Sequence, residues 1–296
     1  MTSDVNSCVL VYDIGGSHIS AAVCHSGDFH LGQVIRAGLP ERQTSEAFVE
    51  VLFSLGRQAS AEEKNVIGAG LGMPGPFDYV QGISWMQHKL QYLYGVNLCD
   101  AIASRFSWNP AQVRFLNDAA AYLWGEVGAG AAHDVPRAVG ITLGTGVGSA
   151  FAQNGRVVTD GPGVPPGGEI WNISYEGGIV EDLISTRALQ KRYRERTGKE
   201  REVASIAHYA SGGEPVSAQV FGEFGTYLGQ VIRHLMTEFA PDVVVLGGGI
   251  SRSAHLFLPA AANELKGTNI RLRVSALGDD AALVGAGVAW FARSAS

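Results

Sequence analysis

At 296 residues the chain is longer than one hydrophobic core usually supports, so two domains are expected. Hydrophobic residues make up 46% and charged residues 17%, with a net charge of −6 and no apolar run near the roughly 18 residues of a membrane span. The acidic balance and the lack of a basic run exclude nucleic acid and membrane as expected partners, and any phosphate must be met by backbone amides and a metal ion.

The first apolar run, residues 8–12, is too short for a signal-peptide core and follows Asp4 where a basic residue would stand, so a cytoplasmic protein is expected. Residues 8–13, 19–24 and 31–36 read as three strands, the first two joined by Gly15-Gly16. A capped amphipathic helix over 44–60 follows, then a strand over 66–71 that runs into Gly72-Met73-Pro74-Gly75-Pro76. Residues 98–106 read as a helix, 113–116 as a strand and 117–127 as a helix.

The pattern then restarts. Strands are expected at 138–143, 149–153 and 155–159, and helices at 181–196, 203–210 and 217–240. The strand 243–246 enters Gly247-Gly248-Gly249, followed by a helix at 253–265, a strand at 270–274 and a closing helix at 280–291. Two α/β domains around a central cleft follow from this duplication, with residues 1–118 plus 280–296 forming one and 119–279 the other. Cys8, Cys24 and Cys99 form no C-x-x-C pair and read as buried thiols.

Glycine is the informative excess: 39 residues, about twice the usual share, gathered after strand-like runs. Asp13-Ile14-Gly15-Gly16-Ser17 fits either a plain hairpin or a phosphate site in which glycine amides approach oxyanions and Asp13 holds a metal ion. Leu143-Gly144-Thr145-Gly146-Val147-Gly148 repeats that logic without the acid, and two such turns at equivalent places look like paired jaws for one polyphosphate. The third cluster fails the dinucleotide pattern because Arg252 stands where its last glycine belongs, and no P-loop motif is present. Asn117-Asp118, between a strand and a helix, reads as a helix cap or as a carboxylate that accepts a proton from an attacking hydroxyl.

Five segments in this order, D-I-G-G-S, G-L-G-M-P-G-P, N-D-A-A-A-Y-L-W-G-E, G-T-G-V-G and V-V-V-L-G-G-G-I-S, resemble the ROK family of sugar kinases and sugar-responsive repressors. The likeness runs from about residue 8 to 292 and implies the duplicated ribonuclease-H-like fold of the actin-like ATPases. By that resemblance Asp118 is the catalytic base, Asn117 and Gly75 belong to the sugar site, and Glu169 binds the sugar near its anomeric end. Asp13, Gly15, Gly16 and Ser17 would serve the first phosphate and Mg2+, Gly144, Thr145 and Gly146 the second, and Gly247, Gly248 and Gly249 the adenosine of ATP. A homodimer acting on a small sugar is implied, with transfer to the 6-hydroxyl of a hexose or amino-sugar.

Three positions depart from the family pattern. Asn172 replaces the expected histidine and no zinc-binding cysteine loop follows, so zinc is not expected there, while Glu181 matches an acid that approaches the sugar. Lys89 stands near the place of a sugar-binding asparagine, beside His88, and Ser17 replaces a threonine. Trp85 and Trp171 fit sugar stacking or ordinary packing. The alternative function is a non-catalytic sugar sensor. A DNA-binding repressor is not expected, because the first strand starts near residue 8.

Overall fold

The computed structural model describes residues 7–294. It divides into two compact units: the first takes the chain up to Gly130 and again from Asp280, the second is Ala131–Asp279. The division falls one helix later than residue 118, because the helix that begins at Asp118 packs within the first unit.

In chain order the first unit holds β1 (Cys8–Ile14), β2 (His18–His25), β3 (Ile35–Gly38), α1 (Ser45–Ala59), β4 (Val66–Met73), α2 (Leu98–Phe106), β5 (Val113–Asn117) and α3 (Asp118–Ala129). The second holds β6 (Arg137–Leu143), β7 (Val147–Gln153), β8 (Arg156–Val158), α4 (Thr186–Thr197), α5 (Val203–Ser211), α6 (Pro215–Leu235), β9 (Val243–Gly247), α7 (Leu258–Glu264) and β10 (Arg271–Val274). A last helix, α8 (Ala281–Ser294), belongs to the first unit. The sheets read β3-β2-β1-β4-β5 and β8-β7-β6-β9-β10, the same topology twice, with the second strand of each antiparallel and the later ones parallel. No described helix is long and apolar enough to cross a membrane.

Strand β1 is apolar throughout because both its faces are covered. Alternation sends Leu10 and Tyr12 into the core shared with α1 and α2, and Val9 and Val11 into a second core with Leu283, Ala286 and Trp290 of α8. Thr44 caps α1, its side chain accepting the Ala47 amide at 3.2 Å. The buried Tyr12 hydroxyl donates to the Leu52 carbonyl at 3.0 Å, locking that helix to the central strand. In the second unit, Phe221, Phe224, Leu228, Val231 and Ile232 of α6 form one buried stripe at helical spacing.

Several expected boundaries move, each for a local reason. The third strand starts at Ile35, since Leu31 makes only a single bridge to Cys24 after a turn with positive φ at Gly27 and Phe29. The helix expected at 181–196 is split: one turn at Val180–Leu183, then α4, capped by buried Ser185. The helix expected at 253–265 becomes a 3-10 segment, Gly249–Leu256, followed by α7, whose Pro259 lacks the amide needed to continue an upstream helix. Helix α6 stops at Leu235, although Phe239 stays buried and packs edge-on against Phe151 at 5.0 Å.

Helices α3 and α8 meet backbone to backbone. A Cβ on Gly285 would collide with the Ala121 carbonyl, and one on Gly125 with the Ala281 carbonyl. Gly285→Ala is therefore expected to lower the unfolding free energy by about 3 kcal/mol, read from urea denaturation. Gly222→Ala, at a helical site with no described atom within 4 Å of the added carbon, is expected to raise it by about 0.5–1 kcal/mol.

Candidate active site

Parallel pairing sets Asp13 opposite Gly72 and Met73 opposite Asn117. Three neighbouring strands, β1, β4 and β5, thus end at one level and carry Asp13, Met73 and Asn117 at their carboxyl ends. At about 4.8 Å per strand, Asp13 and Asn117 stand about 10 Å apart. Ligands of open α/β sheets bind outside this edge.

The turn from β1 to β2 is closed by the Gly15 amide, which donates to the His18 carbonyl at 2.9 Å. Neither Gly15 nor Gly16 has a positive φ, so the turn itself does not demand glycine. At exposed Gly16 no described atom lies within 4 Å of the place a Cβ would take. What glycine provides there is room beside the backbone, as an oxyanion site needs. The Ser17 hydroxyl sits 3.2 Å from His18 Nδ1, on the exposed side of the same turn.

Asn117 ends β5 and caps α3. Its amide oxygen accepts the Ala119 and Ala120 N–H groups at 3.0 and 3.2 Å, and its amide nitrogen donates to the Tyr79 hydroxyl at 3.3 Å. The Tyr79 hydroxyl in turn donates to the Met73 carbonyl at 3.2 Å and lies 3.4 Å from the place of a Gly75 Cβ. Gly75, Tyr79 and Asn117 are thereby tied together, leaving Asn117 one amide hydrogen for a ligand hydroxyl. Asp118 occupies the first turn of α3, exposed, with Oδ1 accepting the Ala119 N–H at 2.8 Å. A helix N-terminus favours a negative side chain there. Lys89 is exposed and makes no hydrogen bond or ion pair among the described residues. Trp85, 44% exposed, packs edge-on against Tyr94 at 5.7 Å.

In the second unit, β6 and β9 pair in parallel so that Gly247 lies opposite Thr142. The turn after β6 and the glycines after β9 are therefore neighbours. Gly248, at φ +80°, leaves no space for a side chain because its Cβ would strike the Leu143 backbone, whereas Gly144 and Gly249 have open space. Within the turn the Gly144 N–H donates to the Gly146 carbonyl at 3.1 Å, and the Thr186 N–H donates to the Gly144 carbonyl at 2.8 Å.

Glu181, expected at the sugar, braces this turn. Its Oε2 accepts the Val147 N–H at 3.1 Å, and its Oε1 pairs with Arg187 at 2.6 Å. Its position against Gly146 explains that glycine, whose Cβ would stand 2.7 Å from Oε2. Glu169 is exposed and accepts the Trp171 indole N–H at 3.0 Å, so Trp171 orients this carboxylate. The backbone on either side is clamped by buried Ser149, whose hydroxyl donates to the Gly168 carbonyl at 2.6 Å and accepts the Ile170 N–H at 3.0 Å. Asn172 is exposed one residue beyond Trp171.

Where the family pattern has its cysteine loop, Ser174–Tyr175 pairs with Gly178–Ile179 in a hairpin. Glu176 and Gly177 have φ +47° and +81°, the sign required at both central residues of a type I′ turn. Tyr79, Ser149 and Arg187 were not legible as site residues. A lone Tyr or Ser has no spacing signal, and Arg187 is one of many basic residues in its helix.

A model of the ROK family matches residues 9–293. Glucokinase from Thermotoga maritima is 28% identical over 272 residues, covering 82% of each chain. N-acetyl-D-glucosamine kinase from Pectobacterium atrosepticum is 25% identical over 267 residues, covering 83% of this chain and 85% of its own. The crystal structure of ROK hexokinase from Thermus thermophilus superposes with a TM-score of 0.82 over 97% of this chain and 99% of that one, at 24% identity. The architecture is the duplicated ribonuclease-H-like fold of the actin-like ATPases.

Asn117→Ala is expected to cost about 1 kcal/mol of stability through loss of the cap, measured by urea denaturation. Asn117→Asp keeps the acceptor and is expected to recover most of that loss, while still losing the amide donor to Tyr79.

Proposed function

This chain belongs to the ROK family, and from that premise we propose that it phosphorylates a hexose or an N-acetylated amino-sugar with ATP, at the 6-hydroxyl. The observation that carries the reading is the common level of Asp13 and Asn117 on parallel strands of one sheet, with Asp118 next in the chain, in a chain that matches the family almost end to end. The kinase activity named for the Thermotoga and Pectobacterium relatives supports it.

In this reading Asn117 and Asp118 serve the sugar, and glycine amides serve the nucleotide. Asp118 accepts the proton of the sugar hydroxyl as that oxygen bonds to the γ-phosphorus, and the bond from phosphorus to the β,γ-bridging oxygen breaks to release ADP. Asn117 orients the hydroxyls with its remaining amide hydrogen, while Tyr79 keeps the amide from rotating. Glu169, held by Trp171, accepts hydrogen bonds from hydroxyls at the other end of the sugar. The amides of Gly15 and Gly16, and those of the turn at Gly144–Gly146, meet phosphate oxygens.

The half-buried carboxylate of Asp13 is a hard oxygen donor and fits Mg2+, bound through water. When bound, the ion would neutralise phosphate charge. With no lysine or arginine in either glycine turn, that neutralisation is needed in an acidic protein.

The test is ADP release from Mg-ATP over a panel of neutral, N-acetylated and acidic sugars. Turnover is expected on at least one neutral or N-acetylated hexose, with Asp118→Asn reducing kcat by about 10²–10⁴-fold while sugar binding persists. Sugar binding without turnover on any of them would instead identify a sensor, and full activity in Asp118→Asn would remove that residue as the base. Because Glu181 braces the second glycine turn, Glu181→Ala is expected to raise KM for ATP more than KM for the sugar. The reverse order in steady-state kinetics would return Glu181 to the sugar site.

A further inference from the structure

At the opposite end of β1 from Asp13, three residues with metal-binding side chains come together. The antiparallel register places Cys8 directly opposite His25, and the Cys8 amide bonds to the Asn65 carbonyl at 3.1 Å, which draws in the loop that carries Glu63. His25 Nε2 lies 3.3 Å from Glu63 Oε1, Cys8 Sγ lies 3.9 Å from Glu63 Oε2, and one ligand atom from each residue falls within 4.8 Å of the other two. Asp13 is five residues further along the strand, roughly 17 Å away at the rise of an extended chain. This cluster is therefore separate from the phosphate turns.

We propose that Cys8, His25 and Glu63 form a binding site for a divalent transition-metal cation of the zinc type. Four-coordinate zinc holds nitrogen and oxygen at about 2.0 Å and sulfur at about 2.3 Å, so tetrahedral ligands stand about 3.3 Å apart for the N–O pair and about 3.5 Å for S with either. The N–O separation already has this value at Glu63 Oε1, whereas the 3.9 Å sulfur contact is to Oε2 of the same carboxylate, so ligation turns the Glu63 carboxylate to bring one oxygen to both partners. Thiolate, imidazole and carboxylate together suit zinc or cobalt rather than magnesium or calcium, which take oxygen ligands.

The imidazole is held for the purpose. The His25 ring stacks on His30 with centroids 4.1 Å apart and planes 5° from parallel, and His30 is fixed by Asp28 at 2.7 Å. Cys8 is buried, whereas His25 and Glu63 are part-exposed, so an ion reaches the sulfur between them and keeps one position for water. Binding replaces the thiol proton: the S–H bond breaks, the S–metal bond forms and one proton is released. The ion would tie the start of β1, the end of β2 and the loop after α1 into one knot. It would do so in a chain that lacks the cysteine loop of its family, and at a place that spacing alone did not mark.

The test is a Co2+ titration of the intact protein, stripped with chelator and free of nucleotide. One equivalent is expected to produce a near-ultraviolet thiolate-to-cobalt band with the visible bands of a four-coordinate ion, both displaced by Zn2+. Cys8→Ser is expected to abolish the thiolate band, His25→Gln and Glu63→Gln to weaken binding by more than about tenfold, and Cys24→Ser and Cys99→Ser to leave it intact. No thiolate band, a band that survives Cys8→Ser, or affinity unchanged in both His25→Gln and Glu63→Gln would overturn the site. If Cys8→Ser fails to fold, the two part-exposed variants decide. These readouts are independent of sugar phosphorylation, which Asp118→Asn tests separately.

Discussion

Where α3 crosses α8 no side chain separates the two backbones. Gly125 and Gly285 each sit against a carbonyl of the other helix, and Gly128 sits against Val288. Contact this close fixes where α3 lies, and α3 carries Asp118 in its first turn and Asn117 as its cap. Helix α8 reaches the sheet in the same way, Gly70 of β4 facing the Ala286 carbonyl and Gly287 facing Cys24. The helix that carries the base of the proposed reaction is thus held by glycines remote from that base, through rigid packing.

Glycine serves this chain in two physically different ways. At Gly125, Gly285, Gly70 and Gly248 the protein itself occupies the space a side chain would take. At Gly16, Gly144 and Gly249 that space is open, and none of the three has a positive φ. The first group sets the frame, and the second leaves backbone bare at the ends of strands. The two groups look alike in one-letter code.

The second glycine turn also shows how a local loss is absorbed. Without a cysteine loop, the chain closes residues 174–179 as a two-residue hairpin. Just beyond it, Glu181 turns toward Val147 and Arg187. The hairpin places the short helical turn Val180–Leu183, and that turn places the carboxylate. A charged group bonded to a backbone N–H is a strong anchor, so the turn keeps its shape through a side chain from outside the strand pair.

Much of the frame was legible in the amino-acid order. Apolar runs marked β1, β6 and β9 as strands, and the helical stripe of Phe221 to Ile232 marked α6. The repeated strand–glycine–strand pattern exposed the duplication, and Asn117-Asp118 stood where a strand gives way to a helix. These signals are local, set by side-chain periodicity and turn chemistry. Element ends were less legible, because Pro259, Ser185 and the turn at Gly27–Phe29 act through caps and breaks whose outcome depends on neighbours.

Asp118 and the two glycine turns could therefore be named as candidate site residues from the chain alone. That Glu181 braces a turn, that Tyr79 secures Asn117, and that Cys8, His25 and Glu63 converge could not. Each of these depends on strand register and on contacts between residues from 17 to 55 positions apart along the chain, which only packing of the whole unit brings about.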